Sequence, residues 1–216
     1  MAIAVSAADE LISLIVCRAI RKVDAPAGRL TMVLATPSGD YATAIVIPES
    51  IAVDSHGNIY ASETTGSSKV YRLSAGGDIS VVPGLVSGKL AIDSQDRLYE
   101  VEVEESPTLR ILRLAPGGAI VTLPDVNSVP PYTALNNIAM APDRNGDLFI
   151  AGSALQRFSP TTIYRLDPKN QLAALPGSYP PTANFLAVDH YGDLWTTDYE
   201  QVLDATGLGM NYDSAR

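Results

Sequence analysis

The stretch Ile51-Ala52-Val53-Asp54-Ser55-His56-Gly57-Asn58-Ile59-Tyr60 decides the fold, because its pattern recurs along the chain. Each copy joins an apolar run, a turn built on Asp-x-x-Gly and a second apolar run. The other copies read LAIDSQDRLY from Leu90, IAMAPDRNGDLF from Ile138, LAVDHYGDLW from Leu186 and, less obviously, IAVSAADELI from Ile3. Copies therefore start at residues 3, 51, 90, 138 and 186. Repeats of this length indicate a stacked or radial array of small structural units.

The turn of each copy has the chemistry of a tight hairpin. We expect Asp54 and Asp189 to accept hydrogen bonds from backbone N–H groups two or three residues further on. Glycine adopts a positive φ without steric cost, which suits Gly57, Gly146 and Gly192. The copy at residue 90 carries Asp96 at this position, a tolerated but weaker choice. These aspartates are interpreted as turn residues rather than as ligands.

The remainder of each repeat predicts three more strands. The second strand carries an aromatic residue at one equivalent position, namely Tyr60, Tyr99, Phe149 and Trp195. The third alternates apolar and basic residues, with arginines at Arg72, Arg113 and Arg165 that we interpret as protecting an exposed sheet edge. A Gly-containing hairpin and a short outer strand follow. Four antiparallel strands in up-and-down order form one blade of a β-propeller.

We therefore predict an all-β protein, a β-propeller of four-stranded antiparallel blades that forms a single domain over residues 1–216. About five blades are present. The chain starts at the first strand of a blade and ends in a fifth unit, where LGMNYDSAR replaces the expected fourth strand. No segment has the periodicity of a helix.

With these elements in place, the chain resembles the bacterial NHL-repeat β-propellers. The closest stretch is residues 20–62, IRKVDAPAGRLTMVLATPSGDYATAIVIPESIAVDSHGNIYAS. There a strand ending in KVD and a Gly turn precede a Pro and the IAVDxxGNxY hairpin. NHL propellers usually have six blades, so the resemblance implies either a ring that closes with five or an incomplete six-bladed ring. An open ring exposes sheet edges, and we expect self-association or marginal stability.

Composition excludes several classes of partner and site. The formal net charge of −9 argues against nucleic acid and anionic membranes, since phosphate binding needs a basic face. The single cysteine, Cys17, excludes an internal disulfide and a Cys-based zinc site. No apolar run reaches the length of a membrane helix, and residues 11–17 lack the features of an export signal. The chain is expected to be soluble, although a longer parent protein could be secreted or periplasmic.

Two connections between blades predict a binding rim. Residues 124–137, PDVNSVPPYTALNN, contain Tyr132, Asn136 and Asn137, and the next connection contains Tyr179 and Asn184. Loops of this kind carry function on a rigid scaffold, and Tyr gives large contacts at low entropic cost. Our main prediction is a non-enzymatic binding or scaffold module that recognises a protein or small molecule through loops on one face. It needs no cofactor.

The alternative is an enzyme. The chain resembles, more distantly, the regucalcin and gluconolactonase propellers, which hold a divalent cation in the central channel. The resemblance implies metal ligands at Glu49, Asn137, Asn184 and Asp198. Hard oxygen donors of this kind suit Ca²⁺. This interpretation predicts a divalent-metal-dependent hydrolase or lactonase.

Histidine chemistry is not expected. The element GDLWTTD resembles the streptogramin lyase propellers, which use histidines. Here the two histidines, His56 and His190, lie at equivalent turn positions in different repeats. No Ser-His-Asp set can be assembled around them from the sequence.

Overall fold

A computed structural model describes residues 3–5, 11–15, 19–24, 29–35, 48–63, 68–86, 88–103, 109–124, 135–154, 162–177, 186–189, 191–196, 199–203 and 209–213. Side chains are described only between residues 50 and 196, with gaps inside that range. All regular structure in these ranges is β-strand. Over the same ranges, no helix is long and apolar enough to cross a membrane.

Four sheets have four strands each, and every sheet follows chain order. The first contains β1 (Ile3–Val5), β2 (Leu11–Ile15), β3 (Ala19–Asp24) and β4 (Arg29–Ala35). The second contains β5 (Pro48–Val53), β6 (Ile59–Glu63), β7 (Val70–Leu73) and β8 (Ile79–Val81). The third contains β9 (Lys89–Ile92), β10 (Leu98–Val103), β11 (Leu109–Leu114) and β12 (Ile120–Leu123). The fourth contains β13 (Leu135–Pro142), β14 (Leu148–Ala154), β15 (Tyr164–Leu166) and β16 (Leu172–Ala174).

The last part of the chain forms two strand pairs. β17 (Leu186–Val188) pairs with β18 (Leu194–Thr196), and β19 (Tyr199–Leu203) pairs with β20 (Gly209–Asp213). β20 lies within the segment where the sequence predicted no fourth strand, so that prediction was wrong. The strand GMNYD is short, and Gly209, Asn211 and Asp213 are of residue types depleted from strands, so the segment gave no strand signal. The predicted all-β class and the up-and-down four-stranded blade are confirmed.

Alternation of buried and exposed residues is clear in the third strand of the fourth blade. In β15, Tyr164 and Leu166 are buried while Arg165 between them is exposed. The small residue at the second position of the inner strand is buried in three blades, at Ala52, Ala91 and Ala139. A small side chain lets the inner strands approach closely, and β5 contacts both β1 and β9. The hydroxyl oxygen of Ser50 in β5 accepts a hydrogen bond of 3.0 Å from the backbone N–H of Leu90 in β9.

One apolar cluster joins the blade of β5–β8, here the second blade, to the blade of β9–β12, the third. Its buried members come from both blades: Ala52, Val70, Val82, Leu85, Leu90, Leu98 and Leu112. Burying a side chain of the size of Leu or Val is worth roughly 1.5–3 kcal/mol. This cluster therefore holds the two blades together.

The chain divides into two compact units. The first comprises residues 1–102 and 111–123, and the second comprises residues 103–110 and 124–216. The first unit thus contains β1–β12 apart from the ends of β10 and β11. The second contains β13–β20. The single domain expected over residues 1–216 stays a prediction.

The arginines of the third strands do not protect sheet edges, so that interpretation was wrong. β7 lies between β6 and β8, and β15 lies between β14 and β16. Arg72 stands opposite Tyr60 on one side and Ser80 on the other. Arg165 stands in the same way between Phe149 and Ala173. Each arginine therefore belongs to a cross-strand row on one face of its blade.

Candidate functional site

The aspartate of each turn is a structural residue. Asp54 Oδ1 accepts hydrogen bonds from the backbone N–H groups of His56, at 3.0 Å, and Asn58, at 2.8 Å. The same pair of bonds, from residues two and four positions further on, occurs at Asp93, Asp143, Asp167 and Asp189. The expected turn role is confirmed, with offsets of two and four rather than two or three. Gly57, Gly146 and Gly192 have the expected positive φ.

In three copies of the turn, the second carboxylate oxygen of the aspartate accepts a hydrogen bond from the repeated aromatic residue, at Tyr60, Tyr99 and Trp195. The Tyr99 hydroxyl donates to Asp93 at 3.0 Å, and Trp195 Nε1 donates to Asp189 at 3.0 Å. Burial and then the nearby charge of Asp93 raise the pKa of Tyr99 above its ordinary value. The aromatic residue therefore stabilises the turn, and Trp195 does so while 52% exposed.

Ser55, His56 and Asp96 meet between the turns of the second and third blades. Asp96 accepts hydrogen bonds from Ser55 N at 2.7 Å and Ser55 Oγ at 2.6 Å. His56 Nδ1 lies 3.2 Å from Asp96 Oδ2 and 3.3 Å from Ser55 Oγ. A catalytic triad needs the serine hydroxyl on the imidazole nitrogen that faces away from the aspartate. Here Ser55 and Asp96 both contact Nδ1 of His56, so the three residues do not have the geometry of a catalytic triad. The cluster instead joins the two blades.

Asp96 has a conformation and a charge that serve this contact. Its φ is +56°, the left-handed region that Gly57, Gly146 and Gly192 adopt at the same position of their turns. Burial alone would raise the pKa of Asp96. The hydrogen bonds from the side chain and backbone of Ser55, with the neighbouring His56, outweigh burial and lower the pKa below 3.8. The charged carboxylate is therefore stabilised in the folded state.

A cleft of about 580 Å³ opens beside this cluster and is lined by the second and third blades. We call it the interblade cleft. Its polar wall includes the cross-strand row Tyr60, Arg72 and Ser80, and its apolar wall includes Val82 and Leu98. Its volume lies within the ~300–1,000 Å³ typical of small-molecule sites. Sequence reasoning missed it. The sequence signals it only through departures from the repeat, such as Asn58 where the fourth blade has Asp147.

The predicted site residues divide into two groups. Glu49 lies in β5, and Asn136 and Asn137 lie in β13, where the backbone alone is described. The other four lie outside the described residues: Tyr132, Tyr179, Asn184 and Asp198. Glu49 belongs to the first compact unit, and Asn136 and Asn137 to the second. The binding rim and the metal-ligand set therefore stay predictions.

Two of the inner strands are irregular at the predicted ligands. In β5, Pro48 pairs with Glu63 and Ser50 with Ser62, so Glu49 is an extra residue in its strand. In β13, the register shifts between Asn136 and Ala139. Such β-bulges re-aim side chains and are over-represented beside active sites.

The third blade differs at the equivalent position. Gly88 precedes Leu90 by two residues, as Glu49 precedes Ile51 and Asn136 precedes Ile138. A Cβ at Gly88 would lie 2.5 Å from the carbonyl oxygen of Val101. This blade has no room for a side chain there. Among the described residues, no group of three or more His, Cys, Asp or Glu could hold a metal ion.

Comparison with known proteins identifies the fold. No protein-family model matches the chain, and no curated protein matches it in sequence. A gluconolactonase from Xanthomonas campestris has a similar structure, with a TM-score of 0.63, 17% identity and coverage of 98% of this chain and 74% of that one. A PQQ-bound aldose sugar dehydrogenase from Streptomyces coelicolor is similar with a TM-score of 0.53 and 17% identity, over 98% of this chain and 80% of that one. The Dos1 propeller is similar with a TM-score of 0.57 and 11% identity, over 94% of this chain and 54% of that one. At these identities the likeness shows the fold alone, and the fold is a β-propeller.

Proposed function

We propose that this protein is a divalent-metal-dependent hydrolase that acts on lactones, of the gluconolactonase type. The observation that carries the proposal is the β-bulge at Glu49 in β5, since bulges re-aim side chains and are over-represented beside active sites. The structural likeness to a gluconolactonase over nearly the whole chain supports it. No comparison points as specifically to a non-enzymatic module, which was our main prediction from sequence. The enzyme therefore becomes the leading proposal.

The chemistry of the proposed ligands fits a hard cation. The set combines two carboxylates and two amide oxygens, from Glu49, Asn137, Asn184 and Asp198. Ca²⁺ takes six to eight oxygen ligands, so four protein donors would leave positions for water or substrate. Two carboxylates would balance the charge of a divalent ion.

A cation held there would polarise the lactone carbonyl and lower the pKa of a bound water. The contribution of the chain is to hold and orient the ion. The Asp-x-x-Gly turns take no part, because their carboxylates already accept hydrogen bonds from backbone N–H groups and from aromatic donors. Ser55 and His56 are likewise engaged with Asp96.

Calcium binding to the whole chain tests the proposal. After treatment with EDTA, added Ca²⁺ should raise the thermal unfolding midpoint by mass action, and the chain should hydrolyse glucono-δ-lactone. Glu49→Gln removes one charged ligand at nearly constant shape. We expect it to weaken Ca²⁺ binding at least about tenfold, which corresponds to roughly 1.4 kcal/mol, and to lower lactonase activity in parallel.

The control is Asp78→Asn, which removes one negative charge at an exposed hairpin and should leave Ca²⁺ binding and activity unchanged. Equal Ca²⁺ affinity in wild type and Glu49→Gln would exclude Glu49 as a ligand. A chain that neither binds a divalent cation nor hydrolyses lactones would refute the enzyme.

The second candidate is a non-enzymatic binding module, as the NHL resemblance suggests. The interblade cleft favours it, since the cleft is concave and carries several polar groups that do not depend on a metal. In this case the contacts predicted at Tyr132, Asn136, Asn137, Tyr179 and Asn184 would recognise a protein or small molecule. The two candidates differ in the calcium experiment: the module predicts no metal-dependent stabilisation.

A further inference from the structure

We propose that the interblade cleft binds a small organic anion, whose carboxylate pairs with Arg72 and whose short apolar body packs against Val82, Leu98 and Leu114. This site is distinct from the proposed metal site and does not depend on it. All of its residues belong to the first compact unit.

Equivalent arginines of the second and fourth blades differ in their partners. In the fourth blade, β13–β16, Arg165 donates from Nη2 to Asp147 Oδ2 at 2.6 Å. The residue equivalent to Asp147 in the second blade is Asn58, which is neutral. Within the described part of the chain, no hydrogen bond or ion pair engages the Arg72 guanidinium. The second blade therefore presents a planar cation, unneutralised by a described carboxylate, at the wall of a cleft.

The acids of the cleft are already satisfied by other donors. Asp54 Oδ2 accepts a hydrogen bond of 2.6 Å from Asn58 Nδ2, and the Tyr60 hydroxyl lies 3.4 Å from the same oxygen. Asp96 accepts both donors of Ser55. Neither acid is paired with Arg72.

The Arg72 guanidinium, the Ser80 hydroxyl and the apolar side of the cleft determine which ligand fits. A guanidinium matches a carboxylate in two parallel hydrogen bonds. Ser80, the cross-strand neighbour of Arg72, places a hydroxyl donor in the same row. Leu98 is almost fully buried, and with Val82 and Leu114 it gives the cleft an apolar side. Asp54 and Asp96 add negative charge nearby, which disfavours dianions. The site therefore suits a monocarboxylate with a short aliphatic or ring body.

Titration of the full chain with hexanoate tests the site. Hexanoate carries one carboxylate and a short apolar chain, and hexanamide is its neutral counterpart of nearly equal size. We expect saturable binding of hexanoate, followed by the chemical shifts of backbone amides around the cleft. Hexanamide should bind roughly 10- to 100-fold more weakly, the range expected when a charge-assisted hydrogen bond is lost.

Three variants separate the site from nonspecific binding. Arg72→Gln should weaken hexanoate binding roughly 10- to 100-fold and leave hexanamide binding unchanged. Ser80→Phe fills the cleft from an exposed strand position where an aromatic residue is tolerated, and it should abolish binding of both probes. Arg165→Gln is the matched control, because it removes an equivalent arginine outside the cleft. It should bind hexanoate as the wild type does.

The proposal fails if hexanoate does not saturate the wild type at tens of millimolar, far above a ~1 mM dissociation constant. It also fails if Arg72→Gln and wild type bind hexanoate equally, or if hexanamide binds as well as hexanoate. The unfolding midpoint of each variant is measured first, so that loss of binding is read only from folded protein. Lactonase activity is not used, and the Glu49→Gln variant should bind hexanoate normally.

Discussion

At the scale of single residues, Asp96 shows how one side chain serves both a turn and a contact between blades. The turn position favours glycine, and a left-handed conformation costs an ordinary L-residue about 1–2 kcal/mol, less for Asp or Asn. Asp96 accepts this conformation, and its carboxylate binds Ser55 and His56 of the preceding blade. A glycine would relax the backbone but lose every one of these contacts.

Replacing Asp96 with Asn tests the charge, since Asn tolerates the left-handed conformation equally well. The folded-state pKa of Asp96 is lowered, so its carboxylate stabilises the fold above pH 3.8, the value expected of the unfolded chain. That stabilisation is lost as the pH falls through the folded-state pKa. We expect Asp96→Asn to lower the free energy of unfolding by about 1 kcal/mol at pH 7.

The measurement is denaturant unfolding between pH 7 and pH 3. The difference between wild type and Asp96→Asn should shrink as the pH falls below 3.8, because protonation removes the same charge from the wild type. Asp78→Asn serves as the control for loss of one exposed negative charge. A difference that stays constant over this pH range would contradict the role given to the Asp96 carboxylate.

At the scale of elements, the blade could be predicted because its determinants are local. Alternating apolar residues and the Asp-x-x-Gly turn specify a hairpin within ten residues, as Asp54 and Gly57 show. The irregularity at Glu49 could not be predicted, since a bulge depends on pairing with residues 62 and 63 of the next strand. The need for glycine at position 88 could not be predicted either, because the atoms that exclude a side chain there belong to the backbone of β10.

Gly88→Ala tests this constraint on β9 and β10. The added methyl group would meet the Val101 carbonyl oxygen at 2.5 Å and its carbonyl carbon at 3.0 Å, both on rigid strand backbone. Overpacking of this kind costs about 1–3 kcal/mol. Gly117→Ala is the matched control, since nothing lies within 4 Å of its Cβ. We expect the control to be neutral or stabilising by up to about 1 kcal/mol. Equal urea midpoints for the two variants would show that β9 can shift to accept the methyl group.

At the scale of the whole molecule, repetition made the fold predictable and the site unpredictable. Five copies of one hairpin indicate a propeller even when a single strand, such as β20, consists mainly of residue types depleted from strands. A ligand site depends on departures from the repeat, such as Asn58 where the fourth blade has Asp147, or Asp96 where the copies at residues 51, 138 and 186 have glycine. The sequence shows these differences, but only the pairing of Arg165 with Asp147 reveals that Arg72 lacks an equivalent partner.

The outer strands bear on how whole molecules meet in solution. β8 and β12 lie at the ends of their sheets and expose apolar side chains, with Ile79 46% and Val121 40% accessible. Edge strands of this kind pair with a second copy unless charge prevents it.

Sedimentation equilibrium tests this association. We expect an average mass that rises with protein concentration. Val121→Lys should reduce that rise, whereas Thr122→Lys, which adds the same charge at an exposed polar position of the same strand, should reduce it less. A constant monomer mass for the wild type would rule out association through these edges, and equal effects of the two lysines would assign it to net charge instead.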